Sequence, residues 1–264
     1  MKKYLVIGNP IEHSLSPKLH NFWIKSNNID AVYDKKKLEE HDVKNFIQQI
    51  KHNKIAGLNV TVPFKKTVIP YLDKLSLEAE QTQSVNTIFL DNENLIGHNT
   101  DISGFTIAIK NLNYDMKGKR IFILGAGGVV PSIIFALIKM KVSEIVISNR
   151  TKQKAENLKN QFDNLKVVDW GNVPEFDTVI NATSLGLNKE IINLDFSNVG
   201  NGKLFYDVIY NPKETHFLKE GKKSGNKAEN GKLMFIYQAS EAFKLWHGIE
   251  PEINSETLEL LNND

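Results

Sequence analysis

Two lysines follow directly on a proline in Asn59-Val60-Thr61-Val62-Pro63-Phe64-Lys65-Lys66. Proline favours the first helical position, so the spacing predicts a helix from Pro63 with Lys65 and Lys66 in its first turn. Cations there oppose the helix macrodipole. A lysine so placed loses proton affinity, and with partial burial it can serve as an acid or base near neutral pH. The competing possibility is a pair of solvated lysines, the usual fate of that residue. Asp101, in His98-Asn99-Thr100-Asp101, is either the N-cap of a helix from Ile102 or the partner that holds and tunes such a lysine. Ser14-Leu15-Ser16-Pro17 is similarly two-sided. Ser16 can cap a helix with Pro17 at its first position, or the two hydroxyls can form a small carboxylate site beside the helix N-terminus. Gln238 shares a helical face with Met234, Ala242 and Leu245, so its amide is expected to be buried. A ligand hydroxyl or a backbone carbonyl would satisfy it equally.

A second group of residues points to a nucleotide. Ile121–Leu124 reads as a buried strand running into Gly125-Ala126-Gly127-Gly128-Val129 and then a helix. Glycine lets backbone approach a pyrophosphate, whose charge rests on the first helical N–H groups. An ordinary strand–helix turn has the same composition, and Val130 stands where the strict pattern has Gly or Ala. The next strand adds weight: it ends in Ser148-Asn149-Arg150-Thr151, where an NAD site would carry an acid. A guanidinium binds a 2′-phosphate bidentately, so NADP is the expected cofactor. Among the 33 basic residues only Arg120 and Arg150 are arginine, which suggests that geometry and not charge alone is needed. The bland alternative is a surface arginine before a helix capped by Thr151. The missing acid also weighs against an S-adenosylmethionine methyltransferase.

These groups need two α/β scaffolds. The 264 residues suit one large or two modest domains. In the first half, strands are expected at Lys3–Ile7, Asp30–Tyr33 and Ala56–Val60, with a hairpin of Thr87–Leu90 and Leu95–His98. Helices are expected from Pro17 and over Asp42–His52. Ile102, Phe105, Ile109 and Leu112 form one helical stripe. Further strands are expected at Arg120–Leu124, Glu144–Ser148, Lys166–Val168, Thr178–Asn181 and Leu204–Asp207, with helices at Leu233–Trp246 and Ser255–Leu261. The expected division is a domain over 1–101, completed by helices at about 238–264, and a Rossmann-type doubly wound domain over 102–237. A net charge of +2 gives no footprint for nucleic acid. Without cysteine there is no disulfide, thiolate nucleophile or Cys-based metal site, and no metal is expected. No stretch approaches the ~18 apolar residues of a membrane span. The run Tyr4–Gly8 is too short for a signal sequence, so a cytoplasmic protein is expected.

Taken together the motifs resemble the shikimate dehydrogenase family, from near residue 4 to near residue 248. The matching blocks are GNPIEHSLSPKLHN at 8–21, GLNVTVPFKK at 57–66, SVNT at 84–87, GHNTDISGF at 97–105, ILGAGG at 123–128, SNRT at 148–151, INATSLG at 180–186, DVIYNPKETHFL at 207–218 and NGKLMFIYQASEAFKLWHG at 230–248. The resemblance implies a substrate domain and an NADP-binding domain with a cleft between them. It implies reversible NADPH-dependent reduction of 3-dehydroshikimate to shikimate, a step toward chorismate and the aromatic amino acids. By the same resemblance Ser14, Ser16 and Tyr210 bind the substrate carboxylate, while Thr61, Asn86, Asp101 and Gln238 hold ring hydroxyls. Lys65 is the catalytic acid/base with Asp101 beside it. Gly125, Ala126, Gly127, Gly128 and Val129 bind the pyrophosphate, Asn149, Arg150 and Thr151 the NADP-specific end, and Val208 and Gly231 lie near the nicotinamide. A homodimer is admitted as an assembly. The chain departs from the family in Gln83-Ser84 for Gly-Ala, in Val130 for a small residue and in His216 for a frequent proline. Two other readings stand beside this one: a quinate/shikimate dehydrogenase of broader cofactor use, and a non-catalytic ligand-sensing protein on the same fold.

Overall fold

Tyr4–Gly8 is buried without interruption, which is the pattern of a central parallel strand covered on both faces. In the computed structural model, which describes residues 1–188 and 190–261, this run belongs to β1 (Lys2–Gly8). It pairs in parallel with β2 (Ala31–Lys37) and β3 (Gly57–Val60). The links between them carry α1 (Ser16–Ser26) and α2 (Val43–Lys51), which bury Leu19 and Trp23, and Val43, Ile47 and Ile50. A two-residue strand, β4 (Lys74–Leu75), and a short helix, α3 (Leu77–Thr82), were not foreseen. They precede the expected hairpin of β5 (Thr87–Asp91) and β6 (Asn94–His98). Both loop residues, Asn92 and Glu93, have positive φ (46° and 67°), which suits the strand twist of a tight hairpin. The sheet order is β2-β1-β3-β5-β6-β4, mixed because β5 runs antiparallel to both β3 and β6.

The second sheet is parallel throughout. Its strands are β7 (Arg120–Leu124), β8 (Glu144–Ser148), β9 (Leu165–Val168), β10 (Thr178–Asn181), β11 (Leu204–Asp207) and β12 (Lys227–Asn230), in the order β12-β11-β10-β7-β8-β9. The order reverses between β7 and β10, the switch point at which doubly wound sheets bind ligands. Helices α5 (Val130–Lys139), α6 (Lys152–Lys159) and α7 (His216–Lys223) connect the strands. Phe196 lies edge-on to Phe205 and Phe217, at centroid distances of 5.4 and 5.9 Å, in an aromatic core.

The chain divides into two compact units, Met1–Phe105 with Ile236–Asp264, and Thr106–Phe235. Two helices run across the division, α4 (Asp101–Asn111) and α8 (Lys232–His247). Within the first unit, Trp246 of α8 donates to Ile88 O at 3.3 Å, and Trp23 donates to Glu252 O at 3.2 Å. The last helix is α9 (Ser255–Leu260), and the end of the expected C-terminal segment, 262–264, lies outside the described residues. No helix among the described residues is long and apolar enough to cross a membrane.

Candidate active site

The segment after β3 does not form the helix expected from Pro63. It is a chain of turns, with Phe64 N on Thr61 O at 2.9 Å and Val68 N on Phe64 O at 3.1 Å, followed by a 3₁₀ turn over Ile69–Tyr71. Pro70 has no N–H to give Lys66 O, so the run cannot continue as an α-helical ladder through this point. Lys65 therefore meets no helix macrodipole. Lys65 is 8% exposed while Lys66 is in solvent, which separates the two lysines that the sequence left equivalent. The backbone of Lys65 is held at the start of the hairpin, its O accepting from Val85 N at 2.8 Å.

The Lys65 ammonium pairs with Asp101 Oδ2. Asp101 opens α4, where an acid suits the macrodipole, and its carboxylate faces the lysine. Its other oxygen accepts from Asn86 Nδ2 at 3.0 Å, and its backbone N–H donates to Asn99 Oδ1 at 3.1 Å. Asn86 Nδ2 also lies 2.9 Å from Thr100 Oγ1 and 3.4 Å from Gln238 Oε1. Asn86 Oδ1 accepts from Thr100 N at 2.8 Å, which fixes the amide's orientation. A buried ion pair persists only when its remaining hydrogen-bonding capacity is met, and here both carboxylate oxygens have donors. Gln238 is half-buried, not buried as expected, and its amide reaches Asn86. Thr61 is half-buried just beyond β3, its N–H on Ile7 O at 2.9 Å.

Ser16 is not the cap of α1. It is the first helical residue, Leu15 occupies the cap position without a side-chain bond, and Ser14 Oγ accepts from Ser16 N at 3.3 Å. Tyr33, in β2, donates its hydroxyl proton to Asn59 Oδ1 at 2.6 Å. Tyr33, Asn59 and Thr100 are absent from the residues that the sequence singled out. Asn59 carried a signal, since it is polar within a strand buried at all four positions. Tyr33 carried none, being one aromatic residue in a strand.

In the second unit, the loop after β7 rises from buried Gly125 to exposed Gly127 and Gly128, with Ala126 and Val129 half-buried, before α5. Gly125 has φ 107°, and a Cβ there would sit 2.7 Å from Ala182 O, so only glycine fits. At Gly127 the same test meets one atom, 3.9 Å away, which leaves an open cradle at the N-terminus of α5. No side chain caps that helix end. Val130 is fully buried as its first residue, so this departure from the family fills core and leaves the loop open. Asn149 Nδ2 holds Thr151 O at 2.8 Å, and Thr151 stands at the cap of α6 without the side-chain bond expected of it. Arg120 is engaged with Glu175 and Asp177, whereas Arg150 is exposed at the end of β8. An open glycine cradle at the switch point with an exposed arginine after the second strand fits the pyrophosphate and 2′-phosphate of NADP.

A buried network unnoticed in the sequence fixes the remaining loops of this unit. Asp207, at the end of β11, accepts from Asn181 Nδ2 at 3.0 Å, Ile209 N at 3.0 Å and Thr215 Oγ1 at 2.6 Å. Burial pushes its carboxyl up to about 6 against these three donors. It pins the turn that carries Val208 and Tyr210. Tyr210 stacks on Phe235 at 4.4 Å and belongs to the second unit, while Ser14 and Ser16 belong to the first. A Cβ on Gly231 would sit 2.0 Å from Val208 O, so these two positions are in direct backbone contact. The other departures also find physical places. Gln83 takes left-handed backbone (φ 48°) after α3, where glycine is the easy choice, and His216 opens α7, where proline is equally suited.

The strand order and the glycine loop define the doubly wound dinucleotide-binding class. Comparison with known proteins narrows this further. Residues 6–88 match the model of the shikimate dehydrogenase substrate binding domain, and residues 106–195 that of shikimate / quinate 5-dehydrogenase. A shikimate dehydrogenase (NADP(+)) of Pelagibacter ubique is 53% identical over 262 residues, 99% of each chain. The crystal structure of shikimate dehydrogenase from Aquifex aeolicus superposes with a TM-score of 0.90 at 36% identity, covering 100% of this chain and 98% of that one. Shikimate 5-dehydrogenase from Thermus thermophilus, solved in complex with NADP(H) and shikimate, gives 0.90 at 31% identity over 99% of both chains. The chain belongs to the shikimate dehydrogenase family.

Proposed function

We propose that this chain catalyses the reversible NADPH-dependent reduction of 3-dehydroshikimate to shikimate, with Lys65 as its acid/base. The observation that carries the proposal is a buried Lys65–Asp101 pair ringed by Asn86, Thr100 and Gln238. Reducing a ring ketone builds alkoxide character on its oxygen, which must receive a proton. Lys65, oriented by Asp101, donates that proton, and in the reverse direction takes it back. Asn86, Thr61, Asp101 and Gln238 hold the ring hydroxyls, and Ser14, Ser16 and Tyr210 hold the carboxylate. Bound NADPH supplies the hydride. The chain's own part in holding it falls to Gly125–Val129 at the pyrophosphate, to Asn149, Arg150 and Thr151 at the 2′-phosphate, and to Val208 and Gly231 near the nicotinamide.

Lys65→Ala tests the reading. Turnover is expected to fall by roughly 10²–10⁴-fold, the usual worth of a positioned acid/base, with a much smaller change in shikimate affinity. Normal binding with near-wild-type turnover would refute it. Activity with quinate and NAD tests the broader relative, against which the exposed Arg150 speaks. Light scattering tests whether the chain is also a homodimer.

A further inference from the structure

Asn21 stands in the interior of α1, although asparagine is a poor helix former. It is half-buried, and its amide does the work of a neighbouring strand. Nδ2 donates to Tyr33 O at 2.7 Å, and Oδ1 accepts from Tyr33 N at 2.9 Å. A carbonyl only accepts and a backbone N–H only donates, so the amide has one orientation. Tyr33 lies in β2, the edge strand of its sheet, whose outer side has no strand to pair with. The same tyrosine is met a second time. Its ring stacks on that of His20 at 4.2 Å with 3° between the planes. Two consecutive residues of α1 thus seat the helix on one residue of the strand, one through the backbone and one through the ring.

What this seat fixes is the start of the helix. Ser16 is the first residue of α1, one turn before His20, and both are buried. Ser14 Oγ accepts from Ser16 N at 3.3 Å, which ties the preceding serine to the same helix start. With 11 residues, roughly 16 Å at 1.5 Å each, α1 moves as a short rod. Its apolar residues Leu19, Trp23 and Ile24 are buried, but apolar contact is non-directional and tolerates sliding. The Trp23 indole bonds the C-terminal segment instead of the sheet, at Glu252 O. The two bonds of Asn21 to one strand residue do not tolerate sliding. We infer that Asn21 is a positioning residue that fixes α1 along β2, so that the Ser14 and Ser16 hydroxyls stand where the substrate carboxylate needs them. This rests on the proposal that those two serines hold the carboxylate. Hydrogen bonds weaken steeply away from their preferred distance and angle, so a small slide of α1 loosens the carboxylate. Lys65 is not carried by α1 and stays in place.

The test is Asn21→Leu, which keeps much of the volume and removes both bonds. It is compared with wild type, with Ser14→Ala/Ser16→Ala and with the triple variant, by steady-state oxidation of shikimate and by thermal unfolding. Asn21→Leu is expected to raise the KM for shikimate by about 2- to 10-fold, the worth of one net hydrogen bond, with kcat and the KM for NADP unmoved. Asn21→Ala, the better helix former, should give the same loss, so that a misfit of leucine cannot account for it. Once both serines are alanine, Asn21→Leu should change kcat/KM for shikimate no further. A lowered Tm with an unchanged KM for shikimate would overturn the inference, since Asn21 would then only cover the edge of β2. An equal loss without the serines, or a parallel loss of kcat or of NADP affinity, would overturn it as general loosening. If wild type does not turn over, the proposed function fails. If the serine double variant keeps the wild-type KM, the carboxylate reading fails. Either takes the inference with it. If the serine variant is impaired while Asn21→Leu is not, only the role of Asn21 fails.

Discussion

Asn86 Nδ2 lies 3.0 Å from Asp101 Oδ1, the carboxylate oxygen opposite the one that Lys65 holds. The aspartate is thus gripped from two directions, and the lysine has a fixed, buried counter-charge. Removing one partner of such a pair leaves an uncompensated buried charge. Asp101→Ala is therefore expected to destabilise the protein by about 3–5 kcal/mol in urea unfolding. The double change Lys65→Met with Asp101→Leu should lose much less, because neither charge is left alone. A double variant as unstable as Asp101→Ala would mean that the ion pair is not what stabilises this region.

Arg150 is one of two arginines in a chain otherwise served by lysine, and it is exposed at the end of β8. Arg150→Ala should raise the KM for NADP by roughly 10- to 100-fold, as expected for charge-assisted bonds to a phosphate, and barely alter that for NAD. Arg150→Lys should recover only part of the loss, since an ammonium lacks the planar fork. Equal losses with both cofactors would remove Arg150 from the 2′-phosphate.

Two buried groups are expected to give stability opposite pH dependences. The Asp207 carboxyl is raised by burial to about 6, above its unfolded value. Its contribution is therefore complete below the unfolded carboxyl pKa and is lost as pH rises through about 6, an effect of about 3 kcal/mol. His20 is lowered to about 3, first by burial and then by the nearby His247. Its contribution is present above the unfolded imidazole pKa and is lost as pH falls toward 3. Urea unfolding between pH 4 and 8 separates them. Relative to Asp207→Asn, wild type should lose stability as pH rises from 4 to 7. Relative to His20→Phe, it should lose stability as pH falls below 6.5. A flat difference in either comparison would contradict the corresponding assignment.

Gly231 abuts Val208 O so closely that a Cβ would lie 2.0 Å from it. Gly231→Ala must shift backbone on one side or the other. It is expected to cost about 1–3 kcal/mol of stability, the usual effect of overpacking, and to raise the KM for NADP while leaving shikimate binding intact. Unaltered NADP kinetics would separate this contact from the cofactor.

The runs of β1, β7, β10 and β11 were legible because strands buried on both faces carry short continuous apolar runs, from two residues in Val179–Ile180 to four in Ile121–Leu124, although polar residues stand at their ends. Lys65 was legible as chemistry because a cation in the expected first helical turn broke a local rule, whereas Asp101 suited its helix start and stood out only as a partner for that lysine. The helix at Pro63 was misread: the proline signal is local, while Pro70 and the bond from Val85 N to Lys65 O decide the outcome from further along the chain. The strand Lys227–Asn230 shows no apolar pattern and exists through backbone pairing with β11 at the sheet edge. The sequence favoured Ser16 as a helix cap over a ligand, and the structure makes it the first helical residue instead. Tyr33 reaches Asn59 across β1, because β2 and β3 both pair with that strand. Such contacts depend on strand order, which no local pattern encodes.

The central claim is that Lys65 transfers a proton during NADP-linked oxidation of shikimate. Absorbance-monitored reduction of NADP by purified protein with shikimate, run for wild type and Lys65→Ala, tests it most directly. Rapid turnover by wild type, little with NAD or quinate, and a loss of roughly 10²–10⁴-fold in Lys65→Ala with shikimate still bound is the predicted result. Folded wild-type protein that binds shikimate and NADP without turnover, or a Lys65→Ala variant that turns over normally, would contradict it.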